Sequence, residues 1–321
     1  MKAILYPFGP SDSSTRLPHD FPDLDWTVAA SPEDVARAVP DTAIYVTSNR
    51  TCNPAIGEIL RRDGQALRWM HFVSAGIDNG IAMGIPPGLI VTNAAGVRAG
   101  NVSEHALLLL LALLRGLPGM MASQREHDWL RAEMTKKVTS IEDAVVCVIG
   151  RGPIGRELAR KLKAINARPI AVSRTADSDG VVEQVFARER LHDALVISDA
   201  VAICTSGDAA SHHMFGAAEF AAMKRSAVIV NVARGSLIDE AALSEALRAG
   251  RIAGAGLDVA ETEPMAAANP LWDMPNVIVT PHVAGQGSSG YPEQRKLFGE
   301  NLARFREGKP MLNECKVPAR T

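Results

Sequence analysis

Residues 144–155 read Ala144-Val145-Val146-Cys147-Val148-Ile149-Gly150-Arg151-Gly152-Pro153-Ile154-Gly155, an apolar run that leads into three glycines spaced GxGxxG. The run predicts a buried strand, and the apolar spacing of Leu158, Leu162 and Ile165 predicts an amphipathic helix after it. In such a unit the first glycine permits a tight turn, the second admits a pyrophosphate, and the third lets helix and strand pack closely. The helix N-terminus presents free N–H groups to the phosphates. A glycine-rich turn without a ligand is the alternative, but this context favours a dinucleotide site formed by Gly150, Gly152, Pro153, Ile154 and Gly155.

The chain around this loop alternates apolar runs with helical stretches. Helical patterning separates most of the runs, and one stretch, Glu240–Arg248, stops at Gly250. Parallel strands joined by helices form a doubly wound sheet. We therefore predict an α/β fold with strands at Val145–Ile149, Ile170–Val172, Ala200–Ile203, Val228–Val232 and Val277–Thr280.

The first hundred residues show a second α/β pattern, with a strand at the start of the chain and others at Ile44–Val46 and Leu89–Val91. A new unit is expected near Asn101, because Asn101 and Glu104 have the spacing of a capping box. The leucine-rich run that follows, Ala106–Leu114, predicts a helix buried on several sides, in the core or at a domain or subunit interface. A closing helix is expected over Glu293–Arg306.

Composition limits the functional classes. A chain of 321 residues is long enough for two domains, and its net charge of −2 gives no field that attracts nucleic acid or anionic membrane. The longest apolar run has nine residues, whereas a membrane-spanning helix needs about 20. The four cysteines are far apart, so we expect no metal site and no disulfide framework. The start of the chain lacks the regions of a signal peptide, and we expect a cytoplasmic protein.

The residues after the second strand of the glycine-loop unit bear on the choice of cofactor. An NAD site usually has an acidic residue about 20 positions after the glycines, which bonds the ribose 2′-hydroxyl. Here that region reads Ser173-Arg174-Thr175, with no carboxylate before Asp177. Arg174 is suited to pair with a 2′-phosphate, and the two hydroxyls to donate to it. We therefore predict a preference for NADP over NAD; the alternative is a solvated Arg174 and NAD bound through other contacts.

Three later stretches bring charged side chains to the C-terminal ends of predicted strands, the edge at which open α/β sheets bind ligands. They carry Arg234, Glu263 and His282. Hydride transfer at C2 of a hydroxy acid needs a cation for the carboxylate, and arginine can bind it with two hydrogen bonds. It also needs a group that exchanges the hydroxyl proton, for which histidine is suited, and a carboxylate that orients the imidazole and favours its charged form. Each residue taken alone is more often a surface or core residue without such a role.

Together these motifs resemble the D-isomer-specific 2-hydroxyacid dehydrogenases, the family that includes glyoxylate/hydroxypyruvate reductases and phosphoglycerate dehydrogenases. The resemblance runs from near residue 44 to residue 285, and the order of the Arg, Glu and His motifs behind the glycine loop is highly specific. The matching stretches are 73–79, 102–104, 150–155, 231–240, 256–264 and 269–285.

The resemblance implies roles for individual residues. Arg234 would hold the substrate carboxylate, His282 would be the general acid/base and Glu263 its partner. Backbone N–H groups around Ser74, Ala75 and Gly76 would bind the carboxylate end of the substrate. The cofactor-binding residues would further include Val232, with Ala233 and Asp258 by the nicotinamide and Thr205 lining the cofactor cleft.

The resemblance also implies an architecture of two doubly wound parallel-sheet domains. Residues 1–100 plus 286–321 would form a flavodoxin-like substrate domain, and residues 101–285 a Rossmann dinucleotide-binding domain. Closure of the domains would exclude water from hydride transfer. The leucine-rich helix would lie at the interface of a homodimer.

The chain departs from the family pattern at Ala260, at 204–207 and at 286–290, which bears on the identity of the substrate more than on the reaction. Arg50 is placed to meet a substrate phosphate, as a phosphoglycerate enzyme requires, but the long extra C-terminal domain of many such enzymes is not expected here. We expect a small unphosphorylated acid such as glyoxylate or hydroxypyruvate. The alternatives are a phosphoglycerate dehydrogenase, a dinucleotide-sensing interaction protein of the same fold and, last, a Rossmann-type methyltransferase, in which Arg234 and His282 would have no role.

Overall fold

The computed structural model describes residues 1–10, 12–174, 180–205, 211–287 and 290–317. The chain divides into two compact units, one formed by Met1–Arg98 with Gly287–Thr321 and the other by Ala99–Gln286. We call them unit 1 and unit 2.

Unit 1 is built on a five-stranded sheet in the order β2-β1-β3-β4-β5, with every neighbouring pair parallel. This is the flavodoxin-like order. Its strands are β1 (Lys2–Tyr6), β2 (Asp25–Val28), β3 (Ile44–Thr47), β4 (Trp69–Phe72) and β5 (Ile90–Thr92). Its helices are α1 (Leu17–Asp20), α2 (Pro32–Ala38), α3 (Pro54–Asp63), α4 (Asp78–Met83) and the C-terminal helix Gly290–Arg306, and 3-10 turns cover Ser13–Arg16, Val39–Asp41 and Asn49–Thr51.

The C-terminal helix packs on one face of the unit 1 sheet. Its Phe298 stacks on Trp69 of β4, with ring centroids 5.2 Å apart and an interplanar angle of 17°. Ile44 and Val46 face this cluster, whereas Tyr45 between them faces the opposite cluster, as alternation along a strand requires. The tail of the chain therefore completes the core of unit 1.

Unit 2 is built on a seven-stranded parallel sheet in the order β12-β11-β10-β9-β6-β7-β8. Counted from β6, six strands have the Rossmann order 3-2-1-4-5-6, and β12 adds a seventh. The topological switch point thus lies between β6 and β9. The strands are β6 (Val145–Ile149), β7 (Arg168–Val172), β8 (Val185–Phe186), β9 (Ala200–Ile203), β10 (Val228–Asn231), β11 (Gly254–Leu257) and β12 (Val277–Val279).

Helices cover both faces of the unit 2 sheet. They are α5 (Ala99–Leu114), α6 (Leu117–Arg125), α7 (Arg131–Thr135), α8 (Pro153–Ala164), α9 (Leu191–Ile197), α10 (Ala217–Ala222) and α11 (Glu240–Arg248), with 3-10 turns at Arg188–Arg190, Gly235–Leu237 and Pro270–Asp273. The α5 helix lies against β11, where a Cβ on Gly256 would come within 3.1 Å of Leu109 Cβ. Small residues in β11 therefore let α5 approach the sheet.

One prediction from the sequence was wrong in detail. The α5 helix begins at Ala99, so Asn101 lies inside its first turn and is not the capping residue; its amide donates to the carbonyl of Gln286 (3.2 Å). Most of the leucine-rich run of α5 is buried or half-buried, whereas Leu108 is 56% exposed. Over the described ranges, no single helix has the length and hydropathy to cross a membrane; α5 and α6 meet that test only as a pair bent by 66°.

Candidate active site

The glycine loop is at the switch point of the unit 2 sheet, and two of its glycines are required by close contacts. Gly150 has φ 99°, and a Cβ there would lie 2.9 Å from Cα of Thr205. At Gly155 a Cβ would lie 1.9 Å from the carbonyl oxygen of Gly150. Thr205, predicted to line the cofactor cleft, therefore packs directly on the loop.

Gly152, the remaining glycine of the loop, has different surroundings. A Cβ on Gly152 would meet no atom within 4 Å, so the backbone there borders open space. Gly152 is the N-cap of α8, a 12-residue helix that begins with Pro153 and Ile154 and buries Leu158 and Leu162. Open space at the N-terminus of a packed helix fits the pyrophosphate of a dinucleotide, which would be held by backbone N–H groups and the helix dipole.

The edge of β7 and β8 holds the residues predicted to read the cofactor ribose. The backbone N–H of Ser173 donates to the carbonyl of Phe186 (3.0 Å), which extends the ladder beyond both strands. Arg174 follows and is exposed, and Arg188 opens the turn after β8 on the neighbouring strand. Two arginines thus follow adjacent strands at one edge. Thr175, the third predicted residue, lies outside the described residues.

Arg234 lies in a loop that Asn231 shapes. Asn231 is 1% exposed, its amide donates to the carbonyl of Arg234 (2.8 Å), and its Oδ1 accepts the N–H of Ala233 (3.0 Å). Nη1 of Arg234 donates to the carbonyl of Ala233 (2.7 Å). Val232 and Ala233 are buried beneath this loop. The carboxyl end of β10 therefore presents a half-buried guanidinium on a fixed backbone.

Gly235 allows the loop of Arg234 to contact the next loop along the sheet edge. A Cβ on Gly235 would lie 1.9 Å from the carbonyl carbon and oxygen of Ala260. The backbone N–H of Glu261 donates to Oε1 of Glu240, at the start of α11 (2.7 Å). The segment that carries Glu263 is thus held against the segment that carries Arg234.

His282 and Glu263 are in contact. Nδ1 of His282 lies 2.7 Å from Oε2 of Glu263, and Oε1 of Glu263 accepts the N–H of Ala260 (3.3 Å). The two side chains are 41% and 40% exposed. A carboxylate bound to one ring nitrogen fixes the ring and leaves the other nitrogen for proton exchange.

Asp258 lies directly under the loop that carries His282. Its Oδ1 accepts the N–H of Val283 and its Oδ2 that of Ala284, both at 2.9 Å, and its side chain is 1% exposed. Its backbone carbonyl accepts the N–H of His282 (2.8 Å). Asp258 therefore organises the histidine loop, and its predicted contact with the nicotinamide stays a prediction.

The predicted substrate-binding turn, Ser74-Ala75-Gly76, follows β4 in unit 1. Oγ of Ser74 accepts the N–H of Asn49 (3.0 Å) and donates to the carbonyl of Gly76 (2.9 Å). Arg50, next to Asn49, has its guanidinium 5.1 Å from the centroid of the Phe8 ring. The turn is thus pinned to the end of β3, beside an exposed arginine.

Residues 107–284 match the sequence profile of the D-isomer specific 2-hydroxyacid dehydrogenase, NAD binding domain. This match covers more than half of the chain. The chain belongs to the D-isomer specific 2-hydroxyacid dehydrogenase family.

Similarity to other 2-hydroxyacid dehydrogenases extends over both units. A D-3-phosphoglycerate dehydrogenase of Archaeoglobus fulgidus is 31% identical over 92% of this chain, but the match spans only 56% of that protein. A glycerate dehydrogenase of Methylorubrum extorquens is 33% identical over 70% of each chain. The solved NADPH-dependent glyoxylate/hydroxypyruvate reductase of Sinorhizobium meliloti, in complex with NADP and sulfate, is 25% identical, covers 98% of both chains and has a TM-score of 0.86.

The sequence pattern missed several residues that build this candidate site. Asn231 lay inside a recognised motif without a role of its own, and His105, within hydrogen-bonding distance of Thr280 (2.9 Å), lies just before the predicted leucine-rich run and had no predicted role. A further imidazole–carboxylate pair, His213 with Glu261, ties the glutamate segment to the chain after β9. A lone histidine beside a leucine run was the available signal for His105. Among the described residues no cluster of three or more His, Cys, Asp or Glu is arranged to hold a metal ion.

Proposed function

We propose that this protein interconverts small 2-oxo acids and D-2-hydroxy acids with a nicotinamide dinucleotide, as a glyoxylate/hydroxypyruvate reductase-like enzyme. The observation that carries the proposal is the hydrogen-bonded pair His282–Glu263 at the sheet edge that also presents Arg234. Relatives named glycerate dehydrogenase and glyoxylate reductase, at 33% and 32% identity, support it.

Each residue has a distinct task in this reaction. The guanidinium of Arg234 binds the substrate carboxylate through paired hydrogen bonds, which orients C2. The imidazole of His282 carries at Nε2 the proton exchanged with the substrate oxygen, and Glu263 holds the ring from Nδ1. The nicotinamide, when bound, supplies or accepts the hydride at C2. Backbone N–H groups of Ser74, Ala75 and Gly76 bind the carboxylate end of the acid.

The buried thiol of Cys204, next to the glycine loop, has no role in the proposed chemistry. Cys204 directly follows β9, next to Thr205, and burial raises the pKa of its thiol to about 12. The thiol is therefore neutral at physiological pH and is a weak nucleophile.

We propose NADP as the preferred cofactor. Arg174 is exposed at the position where NAD sites usually have a carboxylate, and Arg188 follows the neighbouring strand at the same edge. Paired guanidinium groups are suited to a 2′-phosphate. The other predicted cofactor contacts are Gly150, Gly152, Pro153, Ile154, Gly155, Ser173, Thr205, Val232, Ala233 and Asp258.

A phosphoglycerate dehydrogenase is the second candidate, because Arg50 lies next to Asn49, whose backbone holds Ser74. The 31% identity with the Archaeoglobus protein also favours it. A substrate phosphate would then be bound by Arg50. We favour the unphosphorylated acid, since a single arginine whose side chain lies by Phe8 provides little of a phosphate site.

The test is the loss of the near-ultraviolet absorbance of the reduced nicotinamide on mixing purified protein with glyoxylate, hydroxypyruvate or 3-phosphohydroxypyruvate. Each substrate is tried with NADPH and with NADH. Turnover of the first two with NADPH is the expected result, and preference for the phosphorylated acid identifies the second candidate. Dinucleotide binding without turnover of any 2-oxo acid would overturn the proposal in favour of a sensing protein.

We also propose a homodimer formed through the α5–α7 segment. Large apolar side chains are exposed along it, including Leu108 (56%) and Trp129 (91%). Exposed apolar side chains grouped on one segment are typical of a protein interface. Light scattering should give twice the mass of the chain, and Leu108→Glu should give the monomer. The matched control is Val196→Glu on α9, where the side chain is 58% exposed; loss of the dimer in this control would contradict the assignment.

Finally, we propose a cytoplasmic location. All four cysteines are free, and Cys52, Cys147 and Cys204 are buried. Free thiols suit a reducing compartment. Fractionation of cells that express the tagged protein should place it with cytoplasmic markers, and recovery with membranes or in the medium would contradict this.

A further inference from the structure

A partly buried hydrogen-bonded chain runs from helix α5 to the loop of the proposed catalytic histidine. Its first member is His105, whose side chain is 15% exposed. Nε2 of His105 lies 2.9 Å from Oγ1 of Thr280 and 3.5 Å from Oδ1 of Asp258. Oγ1 of Thr280 lies 2.6 Å from Oδ1 of Asp258. All three residues belong to unit 2.

The direction of these hydrogen bonds follows from the number of protons available. A carboxylate only accepts, so the hydroxyl of Thr280 donates its single proton to Asp258. Oγ1 of Thr280 must then accept from His105, which carries its proton on Nε2. Donation runs one way, from His105 through Thr280 to Asp258.

Asp258 connects this hydrogen-bonded chain to the loop of His282. Its carboxylate accepts the N–H groups of Val283 and Ala284, and its carbonyl accepts the N–H of His282. The backbone of His282 has φ 54°, in the left-handed region that a residue with a side chain adopts only when its surroundings impose it. Three hydrogen bonds to one aspartate impose that conformation.

We propose that His105 is a positioning residue for His282, acting through Thr280 and Asp258. The inference rests on the proposed function of His282 as the acid/base. By donating to Oγ1 of Thr280, His105 holds this oxygen at the position from which it donates to Oδ1 of Asp258, and so keeps the carboxylate aligned with the loop N–H groups. Without His105 the side chain of Thr280 loses this partner and is free to change rotamer, and the loop exchanges between conformations that point the imidazole of His282 differently.

Four variants test this chain in matched pairs. His105→Leu and Thr280→Val remove the donors, whereas His105→Gln and Thr280→Ser keep a donor at each position. We expect kcat for 2-oxo acid reduction to fall about tenfold in the first two, since small misplacement of a reacting group costs about this much or more. The KM for the acid at saturating NADPH should stay within about twofold, because neither residue contacts the acid in the proposal. The conservative variants should recover most of kcat.

The double variant separates a connected chain from two independent effects. If His105 acts through Thr280, combining His105→Leu with Thr280→Val lowers kcat no further than the more severe single change. Multiplied losses would overturn the proposal. If one variant does not fold, the pair at the other position decides.

A second readout does not require turnover. In protein labelled with 13C at histidine Cε1, the His282 resonance is assigned by its loss in His282→Asn. It should be one narrow peak in the wild-type protein and in the conservative variants, and broadened or doubled in His105→Leu and Thr280→Val. An unchanged narrow peak in both would overturn the inference. Failure of the wild-type protein to reduce any 2-oxo acid would sink the proposed function, while this comparison would still decide whether His105 orders the loop.

Discussion

Nδ1 of His282 lies 2.7 Å from Oε2 of Glu263. The two residues follow neighbouring strands, β12 and β11, so their approach is set by the sheet and not by a flexible linker. With Nδ1 engaged by a carboxylate, Nε2 is the nitrogen available for the proposed proton exchange with the substrate. In the proposed chemistry His282 exchanges the proton and Glu263 orients its ring, so we expect turnover to depend more on His282 than on Glu263.

Replacing His282 should affect turnover far more than binding. We expect His282→Asn to lower kcat about 10²- to 10⁴-fold, the usual contribution of a general acid/base, with KM for the 2-oxo acid changed only a few-fold. Glu263→Gln keeps an acceptor for the ring but loses the charge, and it should cost about 10- to 100-fold. Steady-state oxidation of NADPH measures both. The control is His192→Asn, which removes a similar pair with Glu219 (2.9 Å) between α9 and α10; an equal loss there would contradict the assignment.

Arg234 should control substrate binding. Arg234→Lys keeps the charge but loses the paired donors, so we expect KM for glyoxylate to rise about tenfold, and Arg234→Gln to raise it about 100-fold. The Kd of NADPH, measured by fluorescence, should not change. The control is Arg251→Lys, just after α11, whose guanidinium donates to the carbonyl of Ala221. If kcat fell in Arg234→Lys while KM stayed constant, a role in carboxylate binding would be excluded.

Arg174 should select the phosphorylated cofactor. Arg174→Ala removes a charge-assisted hydrogen bond, so we expect the Kd of NADPH to rise about 10- to 100-fold and that of NADH to stay constant. Calorimetry with both dinucleotides measures the effect. Arg190→Ala is the matched control, because Arg190 is already engaged with Asp193 (2.7 Å). Equal weakening by the two variants would indicate a general loss of positive charge and not a specific phosphate contact.

Substitutions at two glycines of the loop should have different effects, one on folding and the other on dinucleotide binding. A Cβ at Gly155 would lie 1.9 Å from the carbonyl oxygen of Gly150, so Gly155→Ala should unfold unit 2 or lower its Tm sharply. A Cβ at Gly152 meets nothing within 4 Å, so Gly152→Ala should fold normally but weaken dinucleotide binding about tenfold or more by occupying the phosphate space. Thermal unfolding and calorimetry distinguish these outcomes. Normal NADPH binding by Gly152→Ala would exclude a close approach of the pyrophosphate.

The sequence predicted the elements whose signals are local. Strand β6, the glycine loop and α8 were found because an apolar run, three glycines and a helical period lie within twenty residues. Strand β11 was not assigned, because Gly254-Ala255-Gly256 reflects the approach of α5 and not the usual composition of a strand. The capping-box prediction at Asn101 was wrong because two residues before it already continue the helix.

The sequence indicated that Arg234, Glu263 and His282 lie at strand ends, but not which residues support their loops. Arg234, Glu263 and His282 each follow a strand, and strand ends of a parallel sheet meet at one edge. His105 and Asp258 are distant in sequence, and only the packing of α5 against the sheet brings them within 3.5 Å. Contacts of this kind leave no periodic pattern in either segment.

A buried histidine in unit 1, His71, predicts that the protein loses stability in acid. His71 of β4 is fully buried, and its Nδ1 lies 2.8 Å from Oγ1 of Thr92, which also accepts the indole N–H of Trp69 (2.8 Å). Nε2 of His71 is buried and has no hydrogen-bond partner among the described residues, so this site favours the neutral imidazole. Burial lowers the pKa of His71 to about 3 from its ordinary value of 6.5.

Because the folded pKa of His71 lies below the unfolded value, the unfolded chain binds the proton first as the pH falls. The free energy of unfolding should be steady above pH 6.5 and should fall between pH 6.5 and about 3, by about 1.4 kcal/mol per pH unit from this group. Urea unfolding from pH 7.5 to 4.5 measures this slope. His71→Leu should flatten it even if the variant is less stable at pH 7.5, whereas His19→Leu, at a side chain that is 92% exposed, should keep it. An unchanged slope in His71→Leu would show that other groups cause the loss of stability in acid.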